Sequence, residues 1–290
     1  MNDYVIFADA SGDYDLELCD SVGVRFISMQ CESDGNVFDC TGCDDEDKLK
    51  GFYADLAHGS LPKTTQITPF RYEEIVEPVL ESGKSALCLC LSSGLSSTFE
   101  SAKLAAASLA EKYDGVKFMP VDTLEATTTM GLLLDRAITN YKNGIGIEKN
   151  YADLETFKHF LTAQAYVNDL HHLHRGGRLS AASAVFGSLL KIKPIIELIP
   201  NGKLENIEKC RGVHKSLAYL AEQYREFADM SYPDMYISDA VNSEFADEVA
   251  ELIREINPKV NIKRRILSPI IGTHLGPDSI VTGFVRKEAK

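Results

Sequence analysis

Four short segments of this 290-residue chain carry side chains whose types and spacing could do chemistry. The first, Leu91-Ser92-Ser93-Gly94-Leu95-Ser96-Ser97-Thr98, sets hydroxyls around one glycine. It joins an apolar run to an Ala-rich stretch of helical spacing that reaches about Tyr113. A buried strand feeding a helix through such a loop aims free helix N–H groups and O–H donors at one point, which suits an anion. The loop has no Lys or Arg and does not match G-x-x-x-x-G-K-[ST], so a weak anion such as a carboxylate suits it better than a polyphosphate. The same hydroxyls also serve as helix caps, a role open to Ser96 or Ser97.

The second segment is Thr64-Thr65-Gln66, in a loop bounded by Pro62 and Pro69, where turn chemistry alone accounts for polar residues. The third, His174-Arg175-Gly176-Gly177-Arg178, puts two guanidinium groups on a turn. Arg so placed grips carboxylate or phosphate, or simply faces water. His171, His172 and His174 lack the i, i+4 spacing of a helical zinc pair. The fourth, Gly272-Thr273-His274-Leu275-Gly276-Pro277, holds one His between glycines, a sign of close backbone approach to something. Cys40-Thr41-Gly42-Cys43 has no second pair to complete a zinc site, and the acidic residues 44–47 would raise its thiol pKa values, so a structural role is expected.

The net charge of −13 argues against nucleic acid or an anionic membrane surface as the main partner. No run reaches the ~18 apolar residues of a membrane span, and the amino terminus has no charged-then-apolar leader pattern. A cytoplasmic protein is expected, with its seven cysteines as reduced thiols.

Strands and helices must position these segments. Tyr4-Val5-Ile6-Phe7-Ala8 opens as a buried strand that ends at Asp9-Ala10-Ser11. A strand over 24–29, a turn at Asp34-Gly35, a helix over 47–57, a buried strand over 116–122 and a helix over 127–141 follow. This alternation predicts an α/β fold whose first domain, residues 1–160, is mostly parallel and doubly wound. The second domain, residues 161–290, mixes a helix over 181–190 and a hairpin over 194–205 turning at Asn201-Gly202. Helices over 213–227 and 243–256 and late strands complete it as an α+β layer domain.

Taken together, the four segments resemble the DegV family of fatty-acid-binding proteins, to which the FakB subunits of bacterial fatty acid kinase belong. The family's T-S-Q-P loop corresponds to Thr64-Thr65-Gln66-Ile67, and its L-S-S-x-L-S-G-T loop to residues 91–98. R-G-G-R-[IL]-S is present at 175–180, K-x-K-P-[IL] at 191–195 and G-x-H-x-G-P at 272–277. Thr65 replaces Ser, Ser97 replaces Gly, Asp278 stands where Gly is usual, and D-S-T is partly kept as Asp9-Ala10-Ser11. The resemblance implies a non-catalytic carrier without a cofactor. It implies a fatty acid carboxylate held between the domains by Thr64, Thr65, Ser93 or Ser92, His274 and Arg175, with the acyl chain in an apolar tunnel. Arg178 and Arg211 match positions where an ATP-dependent kinase subunit docks on such carriers. The competing reading is a serine hydrolase or acyltransferase using Ser93 with His274. It lacks the G-x-S-x-G elbow and an assignable carboxylate to orient the histidine.

Overall fold

The computed structural model of the protein describes residues 4–42, 44–168, 170–179 and 192–290. The expected helix over 181–190, together with Cys43, lies outside the described residues.

The chain begins with strand β1 (Tyr4–Asp9), helix α1 (Leu16–Asp20) and strand β2 (Arg25–Ile27). Strands β3 (Met29–Ser33) and β4 (Asn36–Cys40) form a hairpin, turned by Asp34 and Gly35, both at positive φ. Helix α2 (Glu46–Ala57) and strand β5 (Lys63–Thr64) follow, and β5 pairs antiparallel with the other edge of β3. Next come α3 (Pro69–Glu81), β6 (Ser85–Cys90), α4 (Thr98–Ala110), β7 (Phe118–Asp122), α5 (Thr127–Lys142) and α6 (Ile147–Phe157). The later part holds β8 (Leu161–Tyr166), α7 (His171–Arg175), β9 (Ile192–Leu198), β10 (Leu204–Arg211) and α8 (Val213–Phe227). It ends with β11 (Asp234–Asp239), α9 (Ser243–Ile256), β12 (Asn261–Ile266), α10 (Pro269–Leu275) and β13 (Ile280–Val285).

This is an α/β protein with a parallel sheet in its first part, in the order β2-β1-β6-β7, and a mixed sheet in its second, in the order β10-β9-β8-β13-β11-β12. In the mixed sheet only the β11–β12 pair is parallel. Strands β1 and β6 are near-continuous apolar runs because both of their faces are covered. Cys88 and Cys90 are fully buried there and behave as small hydrophobes. The single strand expected over 24–29 is instead split between β2 and β3. Those two strands belong to different sheets, and the small antiparallel sheet β4-β3-β5 was not foreseen.

Helix α5 is buried on nearly every side because it lies between the sheets, against β1 on one side and β8, β11 and β13 on the other. Gly283 of β13 gives the clearance: a Cβ there would lie 2.4 Å from the Thr128 hydroxyl of α5. Two polar ties reinforce the junction. The Ser268 amide donates to Asp13 at 2.9 Å, and Lys263 sits between Asp15 and Asp135 at 3.1 and 2.7 Å.

Candidate functional site

In the parallel sheet the chain leaves β1 in opposite directions, to β2 on one side and β6 on the other, so the topological switch point falls between β1 and β6. Open α/β sheets place ligands beyond the strand ends at such a point. Here Asp9, fully buried, closes the crevice. It accepts from the Leu91 amide at 2.6 Å, the Ser11 amide at 2.9 Å and the Ser11 hydroxyl. Burial pushes its carboxyl above the usual range, while these donors pull it back. Asp9 therefore fixes where the chain leaves β6.

That exit leads to a narrow cavity of about 70 Å³ that opens to solvent. Its floor is one face of the mixed sheet, with Ala163, Ala165, Ile196, Leu198, Leu204 and Val281. Leu91, Leu95 and Ala126 face it from the first part of the chain, and Ile270, Ile271 and Leu275 of α10 close a third side. Against this apolar surface stand Thr64, Thr65, Gln66, Ser96, Thr127, Gln164, Arg178 and His274.

His274 is the centre of the polar group. Its Nε2 lies 3.0 Å from the Thr64 hydroxyl, and its Nδ1 is buried without a hydrogen-bond partner among the described residues. Burial first, then the charges of Arg178 and Arg175, push its pKa down to about 4, so the ring is neutral near pH 7. Glycines make the packing possible. A Cβ on Gly176 would lie 2.3 Å from His274 Nδ1, and one on Gly276 would lie 2.6 Å from the ring of His172. Each of the two segments thus receives the other's histidine. A Cβ on Gly272 would likewise lie 2.1 Å from the Tyr53 hydroxyl, which donates to the Leu267 carbonyl at 2.9 Å. Gly176 has an ordinary helical φ of −72°, so Gly176→Ala acts on the imidazole and not on the backbone. That variant is expected to fold, break the Thr64–His274 bond and shift the His274 ring resonances in an NMR spectrum. Unchanged resonances would show that the ring does not depend on this clearance.

The two arginines differ. Arg175 ends α7 and donates to the Leu61 and Pro62 carbonyls at 3.2 and 3.3 Å, so it holds the loop that carries Thr64. It does not line the cavity. Arg178, for which the resemblance implies a docking role, lines the cavity. Its Nε donates to the Leu95 carbonyl at 3.2 Å and its NH1 to the Gly176 carbonyl. The cation missing from the serine loop is therefore supplied by the second half of the chain.

Within the serine loop the structure separates the hydroxyls. Ser92 is fully buried and donates to the Gly202 carbonyl at 2.7 Å, tying the loop to the turn between β9 and β10. Ser93 is exposed, its amide bonded to Asp122 at 3.0 Å, and the structure does not bring it to the cavity. Ser96, read from sequence only as a cap, lines the cavity and lies 2.9 Å from the Thr98 hydroxyl. Ser97 holds the N-cap position without a side-chain bond. Thr65 lies exposed at the cavity rim, its amide donating to the Gln30 carbonyl. Arg211 is exposed at the last position of β10, seven residues and roughly 23 Å along the strand from Leu204. Cys40 is buried on β4.

From the sequence, Asp9 is one of the small polar residues that end a buried strand, where open α/β sheets place their sites, but it has no assigned role there. Ser96 is read only as a cap, with nothing to distinguish it from its three neighbouring serines.

No helix among the described residues is long and apolar enough to cross a membrane. The family model described as "Uncharacterised protein, DegV family" matches residues 3–287. The DegV domain-containing protein CPE0026 of Clostridium perfringens is 32% identical over 286 residues, covering 98% of each chain. Among solved structures, DegV of Bacillus subtilis, described as a fatty acid binding protein, is 28% identical with a TM-score of 0.84, covering 99% of this chain and 100% of that one. The DegV lipid binding protein TM1468 of Thermotoga maritima is 26% identical with a TM-score of 0.85, covering 100% of both. With a family model spanning nearly its whole length, and relatives matched end to end, the chain belongs to the DegV family.

Proposed function

We propose that this protein binds a long-chain fatty acid, with its carboxylate at Thr64, His274 and Arg178 and its acyl chain over the apolar floor of the cavity. The observation that carries this reading is the convergence of one cation, one neutral imidazole and hydroxyls on a mostly apolar cavity. Such a site orients a single anion through a few polar groups and draws its affinity from apolar burial, at ~0.8 kcal/mol per CH₂. A neutral His274 with its proton on Nε2 donates to the Thr64 hydroxyl, which leaves the hydroxyl hydrogen free to turn to the carboxylate. Arg178 supplies the charge. Fatty acid binding described for the Bacillus subtilis relative supports the same ligand class. Residues 1–160 and 161–290 are read as two units meeting at the ligand.

The finer reading is a carrier that presents the acid to an ATP-dependent fatty acid kinase, which forms the acyl phosphate. It is supported by the motif resemblance, by the absence of a phosphate-binding loop from the sequence, and by the exposure of Arg211 away from the cavity. The hydrolase reading loses its geometry, because His274 is engaged by Thr64 and Ser93 faces solvent.

Native mass spectrometry of protein purified from bacteria, with lipid extraction, is expected to find fatty acid in near-stoichiometric amount. Delipidated protein that binds no fatty acid of any common chain length would refute the reading. Arg211→Ala is expected to keep lipid binding and reduce acyl phosphate formation by the cognate kinase. Loss of both together would place Arg211 in the fold.

A further inference from the structure

The cavity floor has a direction. Strand β8 runs from Leu161 to Tyr166 and passes within a few residues to α7 and Arg178, while β13 begins just after α10 and His274. The polar group therefore lies toward the Tyr166 end of β8 and the Ile280 end of β13. Across the sheet, Ile196, Ala165 and Val281 form one row of partners. Ala163 stands opposite Gly283 in the next row of the same face, about 7 Å further from the polar end, beside Leu198 and its partner Leu204. Ala163 is the last residue of β8 toward Leu161 that lines the cavity, and beside it, across the row, the space at Gly283 is filled by Thr128 of α5. The intervening Gln164 turns its side chain to Glu197 and Gln223, so the methyl groups of Ala163 and Ala165 are the ones on the cavity side.

We propose that Ala163 sets the acyl chain length this protein accepts: its small side chain leaves the far end of the cavity open for the last methylenes of a long chain. This rests on the fatty-acid reading above. Leu in place of Ala163 adds three carbons at the closed end, and each methylene kept from burial costs about fourfold in affinity. At Ala165, in the row nearer the carboxylate, the same added bulk meets the part of the chain that every fatty acid has.

The test is a titration of delipidated wild type, Ala163→Leu and Ala165→Leu with saturated fatty acids from lauric to arachidic acid. Ala163→Leu is expected to bind the short acids like wild type and to lose on the order of fiftyfold for the longest, moving the optimum toward shorter chains. Ala165→Leu is expected to weaken all lengths alike. Ala163→Gly, a smaller change, guards against misfolding and is expected to favour the longest acids by a few-fold. An unshifted length profile in both Ala163 variants, with wild type binding fatty acids, overturns the proposal and leaves the function standing. Wild type that binds no acid of any length overturns both.

Discussion

Arg178→Ala is expected to lower affinity for a long-chain fatty acid about ten- to hundredfold, while Ser93→Ala leaves it unchanged. A hydrogen bond to a charged partner contributes ~1.5–3 kcal/mol, and Arg178 is the guanidinium that lines the cavity. Ser93 is exposed and reaches the site only through its chain neighbours. Thr64→Ala is expected to fall between them, since it removes one O–H donor and the partner of His274 Nε2. Arg178 also holds the Leu95 carbonyl, so a purely structural effect must be separated from a carboxylate effect. A fatty alcohol of matched length does this. Its binding is expected to be weaker in wild type and nearly indifferent to Arg178→Ala. An equal loss for acid and alcohol would mean that Arg178 shapes the loop and does not meet the carboxylate.

The contrast between Ser93 and Arg178 shows what the sequence held. The apolar run over β6, the hydroxyl loop and the Ala-rich helix were legible because burial on both strand faces and helical spacing leave periodic patterns. Which serine points inward was not, because a turn has no such period. The answer depends on Gly202, more than a hundred residues away, which draws Ser92 out of play. The glycines flanking His274 announced a close approach. That Gly276 receives His172, and Gly176 receives His274, is a relation between two segments and becomes visible only when both are placed. The small sheet was hidden for another reason: β5 has two residues, too few for any pattern, and exists because β3 offers it an edge. Arg178 looked like a surface residue because nothing local says that its neighbours will be Leu95 and His274.

The second large effect concerns protons. Delipidated wild type is expected to lose up to about 3 kcal/mol of stability relative to His274→Gln as the pH falls from neutrality to about 4. The sign follows from the depressed pKa. Between the ordinary value of 6.5 and about 4, the unfolded chain takes up a proton on His274 and the folded chain does not. The unfolded state then binds more protons, so stability rises with pH across this window and is lost on acidification. Comparison with His274→Gln is needed because burial raises Asp13 and Glu125 to about 7 and Asp135 to about 6, and these groups tilt the curve the other way. Urea unfolding of both proteins across the window gives the difference directly. Arg178→Ala is expected to shrink it, since that charge adds to the burial of the ring. Bound fatty acid is expected to shrink it further, because a carboxylate beside the ring favours the imidazolium and raises the folded-state pKa. A difference that stays flat with pH would show that His274 is solvated enough to titrate normally. A difference that is steep without ligand and unchanged by it would place the carboxylate away from His274, with Arg178 alone as its anchor.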